Sequence, residues 1–102
     1  MKHLSETCLQ YRNYFIEEIE KLPKKKRASS VEYKLFEVFS LLHISFDEAA
    51  IHGKFNDTPV RGCLRTKIMK IKSSKEYATY VAAKGRSIIN EHLELALENI
   101  SA

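Results

Sequence analysis

Three glycines and two prolines in 102 residues are too few for a linker-rich, collagen-like or disordered chain. No apolar run approaches the roughly 18 residues of a membrane-crossing helix, so no membrane partner is expected. The opening residues, Met1-Lys2-His3-Leu4-Ser5-Glu6, lack the apolar stretch of an export signal, and a cytoplasmic chain is expected. In that compartment the two cysteines, Cys8 and Cys63, are expected to be reduced thiols rather than a disulfide. There is no glycine-rich phosphate loop and no nucleophile elbow. The four histidines, His3, His43, His52 and His92, have no cysteine or carboxylate partners at zinc spacing. Arg86 and His92 have the Arg-x(4–6)-His form of a class of helical ribonucleases. Six residues on a helix set the two side chains about 120° apart, so they do not share a face. No enzyme activity, metal or cofactor is therefore expected.

What is present is one domain's worth of residues, 44% hydrophobic and 29% charged. Its charge is unevenly placed. Lys54, Arg61, Arg65, Lys67, Lys70, Lys72 and Lys75 face only Asp57 between positions 54 and 75. That window carries +6 of a chain whose total is +4, so the rest sums to −2. A basic block in a near-neutral chain is a candidate polyanion footprint. Its structural alternative is a solvated face with counter-charges elsewhere.

Helical spacing marks most of the chain. Ser5 is a candidate first cap, followed by the stripe Leu4, Cys8, Tyr11, Phe15, Ile19, Leu22, and Pro23 as the stop. Leu9 and Ile16 widen the stripe, which suits a subunit contact. Lys24-Lys25-Lys26-Arg27 forms a basic connection. Ser29 with Glu32, and Ser45 with Glu48, have the form of capping boxes. They bracket a helix with Val31, Leu35, Val38, Phe39 and Leu42 inward, and then a short helix from Phe46 to His52. Gly53 suits the end of that helix. Thr58 and Pro59 open a further helix with Val60, Leu64 and Ile71 inward, and with Ile68 off that stripe. From Ile71 to Val81, Tyr, Thr and Val around Ser73-Ser74-Lys75-Glu76 suggest a small β-hairpin. A last helix runs from Lys84 to Ile100, with Ile89, Leu93, Ala96, Leu97 and Ile100 inward and Ile88 and Leu95 beside them.

The expected fold is mainly α with a small β-hairpin, a winged helix-turn-helix flanked by N- and C-terminal helices. The expected divisions are a dimerisation helix at 1–23, a winged-helix core at 29–82 and a C-terminal helix at 84–101. In such a fold Thr58, Arg61, Arg65 and Lys67 come from the major-groove helix. Lys72, Ser73, Ser74 and Lys75 form the wing tip, and Lys25 and Arg27 of the connector contact phosphate. Two arginines four residues apart share one helical side and can grip guanine or phosphate. Cys63 lies two residues from each of them, and nearby cations favour a reactive thiolate.

The stretch Tyr80-Val81-Ala82-Ala83-Lys84-Gly85-Arg86-Ser87-Ile88-Ile89-Asn90-Glu91-His92 resembles the wing end and following helix of MarR-like winged-helix regulators. Asp57-Thr58-Pro59-Val60-Arg61-Gly62-Cys63-Leu64-Arg65 is similar to their recognition helix. The resemblance covers residues 30–100 and departs from the family at Ala82-Ala83 and in the wing, Lys72-Ser73-Ser74-Lys75-Glu76. It implies a dimer through the terminal helices and double-stranded DNA as partner. The expected function is sequence-specific duplex binding, as a transcriptional regulator or as a plasmid or phage origin-binding accessory. The rival is a small helical inhibitor, immunity protein or antitoxin that caps a partner protein.

Overall fold

The first apolar stripe makes one helix, α1 (Lys2–Glu20), in the computed structural model, which describes residues 2–52, 59–85 and 87–101. Ser5 is not its cap but a buried residue within it, 2% exposed. Pro23 stands at the N-cap of a single turn, α2 (Lys24–Arg27). The Arg27 guanidinium folds back, donating to the Glu20 and Leu22 carbonyls, each at 3.0 Å. The Glu20 carbonyl is one that the end of a helix leaves without a partner, and that of Leu22 lies in the connection just beyond it.

α3 (Val31–His52) is a single helix of 22 residues. The break expected at Ser45 and Glu48 does not occur, because residues 31–52 contain no glycine or proline to end the helix. Its N-cap is Ser30, whose hydroxyl accepts from the Tyr33 amide at 3.1 Å. The cap thus lies one residue beyond the Ser29 that the sequence suggested.

The chain divides into two compact units, Met1–Asp57 and Thr58–Ala102. In the first, α1 packs on α3. The pairs Ser5–His43, Tyr11–Phe39 and Arg12–Phe36 run in opposite order along the two helices, so they are antiparallel. Leu35, Val38, Phe39, Leu42 and Phe46 of α3 are buried against Cys8 and Phe15 of α1. Phe39 stacks on Tyr11 (ring centroids 5.0 Å apart) and on Phe15 (5.9 Å). Offset aromatic packing contributes about 0.5–1.5 kcal/mol per pair beyond area burial.

The second unit comprises α4 (Pro59–Lys72), α5 (Lys75–Lys84) and α6 (Ser87–Ser101). The expected wing is overturned. Residues 71 and 72 finish α4, and 75–84 are helical, so no strand occurs among the described residues. Four local features outweigh the β-propensity of Tyr77, Thr79 and Val81. Ser74 caps α5 by accepting from the Tyr77 amide at 3.2 Å. Ala78, Ala82 and Ala83 are the best helix formers. Tyr77, Tyr80, Val81 and Lys84 fall at helical spacing. Gly85, at φ +62°, supplies the left-handed C-cap. With the wing gone, the winged helix-turn-helix and the fold implied by the MarR-like resemblance go too. The mainly helical character stands.

The core of this unit is Leu64, Ile68 and Ile71 with Tyr77, Ile89, Leu93 and Ala96. Ile68, expected off the inward stripe, is fully buried: positions 64, 68 and 71 are i, i+4 and i+7, one face of a helix. The Tyr77 hydroxyl donates to Asn90 Oδ1 at 3.2 Å, which satisfies its polar end at the α5–α6 contact.

Candidate nucleic-acid interface

α4 carries five cations, Arg61, Arg65, Lys67, Lys70 and Lys72, and no carboxylate. α6 is its opposite, with Glu91, Glu94 and Glu98 and no lysine or arginine. The two helices touch, and Lys72 pairs with Glu94 across the contact. Both partners of that pair reach solvent, so it contributes at most about 1 kcal/mol. Its effect on the site is larger than its energy, because Lys72 is held by a carboxylate and is not offered outward.

At about 100° per residue, the buried face of α4 is set by Leu64, Ile68 and Ile71. Thr66, Met69 and Ser73 lie opposite it, all exposed. Positions 61, 65 and 72 flank this outward strip on one side, and 67 and 70 on the other. The cations of the basic block therefore do not gather on one side of α4. They bracket a strip of neutral side chains on both sides. Arg65 and Lys70 are exposed and Lys67 is half-buried. Thr66, Met69, Lys70 and Ser73, with Arg65, line a shallow depression in this face.

The other expected contacts are scattered. Thr58 lies outside the described residues, as does the side chain of Arg61. Lys75 is exposed at the first turn of α5. The Ser73 hydroxyl donates to the Lys70 carbonyl at 3.1 Å, and that of Ser74 donates to Ile71 at 2.9 Å while capping α5. Ser73 and Ser74 thus close a helix end instead of tipping a wing. Lys25 is exposed in the first unit, and Arg27 is engaged by the Glu20 and Leu22 carbonyls. Sequence reasoning passed over Glu94. The signal for it was the concentration of all α6 charge in one sign.

Cys63 is exposed on the Lys70 side of α4, away from Arg65, so that arginine does not face the thiol. Cys8 is buried, and desolvation pushes its thiol from 9.0 up to about 12. A thiol reagent is therefore expected to modify Cys63 quickly in the native chain and Cys8 only in denaturant. The folded chain binds the Cys8 proton more tightly than the unfolded chain does. That contribution is complete below pH 9 and is lost as the pH rises towards about 12. Burial raises the Tyr77 hydroxyl as well, so urea midpoints should fall across this alkaline window in both chains, and less in Cys8→Ala than in the native chain.

A second polar constellation was not foreseen. Ser5 Oγ lies 3.0 Å from His43 Nδ1, a spacing that a nucleophile and its base would have. The pair is closed on itself. His43 Nδ1 is also 3.0 Å from the Ser5 carbonyl, and the Ser5 hydroxyl donates to the His43 carbonyl at 3.2 Å. With the serine 2% exposed, no substrate reaches it. The arrangement is a polar clasp between α1 and α3. Among the described residues, no group of three or more His, Cys, Asp or Glu side chains is placed to hold a metal ion. No helix among them is long and apolar enough to cross a membrane.

No family model matches the chain, and no curated protein or solved structure matches it.

Proposed function

We propose that this chain binds duplex DNA by laying the outward face of α4 into the major groove. The observation that carries it is the bracketed strip: exposed Thr66, Met69 and Ser73 between exposed Arg65 on one flank and exposed Lys70 on the other. A helix about 10–12 Å across fills a groove about 12 Å wide, and its two flanks then meet the phosphates of the two walls. Cations on both flanks suit that position better than a single ridge would. Thr66 and Ser73 can hydrogen-bond base edges, and Met69 can pack on a thymine methyl. Phosphate contacts dominate the affinity, and the neutral strip adds a modest sequence preference. Such binding serves transcription control and origin marking alike.

With about four phosphate contacts, log affinity should fall against log salt with a slope near −3.6. Fluorescence anisotropy with a labelled duplex between about 50 and 200 mM salt measures it. A flat salt response, or no binding at the lowest salt, rejects the proposal.

The rival reading, a cap on a partner protein, draws on α6. Ile88 and Leu95 are exposed there beside Glu91 and Glu98, an apolar strip with an acidic margin. Failure of duplex binding together with one-to-one capture of a basic partner protein would favour it.

A further inference from the structure

We infer that this chain self-associates head to tail, the outer face of α6 in one copy docking on the outward face of α4 in the next. Thr66, Met69, Lys70 and Ser73 stand at i, i+3, i+4 and i+7, the four corners of a hole in knobs-into-holes packing. They line the depression on α4, and Met69 is 54% exposed. α6 presents the knobs. Ile88 and Leu95 are 45% and 39% exposed, seven residues apart and on one line of the helix. Two apolar side chains aligned along one helix make a strip that a partner helix can cover, which singly scattered ones would not.

The charges match as the shapes do. Arg65 and Lys70 margin the hole, and Glu91 and Glu98, all exposed, margin the knobs. α4 has no acid to repel the glutamates, and α6 has no lysine or arginine to repel the cations. Opposite signs across a contact set its partner and register.

Hole and knobs cannot meet within one copy. α4 and α6 already pack through Leu64, Ile68, Ile71, Ile89, Leu93 and Ala96. The hole lies about 180° around α4 from its buried face, and the knobs lie about 120° around α6 from theirs. Only another molecule brings them together. Because the two surfaces differ, the contact is heterologous and builds rings or open chains rather than a two-fold pair. The assembly does not depend on the proposed DNA binding, though it hides the strip that binding would use.

The test is sedimentation equilibrium of the intact chain without nucleic acid. Native protein should show a mass that grows with concentration at low salt and falls back at high salt. Leu95→Glu removes a knob and Met69→Glu spoils the hole, and each should weaken self-association by about tenfold or more. An equimolar mixture of the two variants should form a one-to-one complex that grows no further, since each supplies the surface the other lacks. Glu91→Lys and Lys70→Glu should each weaken assembly, and their combination in one chain should restore it, which also excludes misfolding as the cause. A native chain that stays monomeric at low salt overturns the inference. So does a variant mixture that stays monomeric, and so does a Met69→Glu chain that still assembles, as an α6-to-α6 pair would.

Discussion

Arg65→Glu combined with Lys70→Glu is expected to lower duplex affinity by roughly 10²-fold or more at about 0.1 M salt. The two cations sit on opposite flanks of the α4 strip, both exposed, so the pair removes one phosphate contact from each wall of the groove. Each lost contact takes about 0.9 from the slope of log affinity against log salt, so the variant's slope should be shallower by about 1.8. The new carboxylates add repulsion from phosphate. Neither residue belongs to the core, so helicity should be unchanged. A variant that binds within twofold of the native chain, with the same slope, would place the DNA contact elsewhere.

The largest stability effect is expected from Phe39→Ala, a loss of about 3–5 kcal/mol. Phe39 is fully buried, and its ring stacks on both Tyr11 and Phe15. Its removal leaves a cavity where α1 meets α3, and two helices have few other residues with which to close it. Whole domains are stable by only about 5–15 kcal/mol, so most of the cooperativity of this unit should vanish. Urea unfolding followed by circular dichroism measures it. A change below about 1 kcal/mol would mean that the aromatic stack does not hold the two helices together.

The helices were legible wherever spacing alone decided them. Cys8 and Phe15, and Leu35, Val38, Phe39 and Leu42, are buried as their periodicity implies. The failures lie where local chemistry has two outlets. Serines cap helices, but they also sit inside them: Ser5 became an interhelical clasp, and Ser30 took the capping role read into Ser29. Residues 75–84 mix strand-forming tyrosine, threonine and valine with alanine, and Ser74 and Gly85 at their two ends tip them into a helix. Had Gly85 been read as a C-cap, the wing would have been doubted from the sequence. The candidate site was half legible. Arg65 is exposed as its helical position suggested, whereas Lys72 is spent on Glu94, a partner 22 residues away. No periodicity within a single helix reveals such a pairing. It emerges only when a wholly basic helix and a wholly acidic one are seen to pack together.

Titration of the isotope-labelled chain with a short duplex, followed by amide chemical shifts at low salt, asks most directly whether α4 is the surface that meets DNA. The largest shifts should cluster on residues 65–73 of the outward face, with α1 and α3 little changed, and added salt should reverse them. Shifts confined to the Lys24–Arg27 turn, or none at all at low salt, would contradict a groove-binding role for α4.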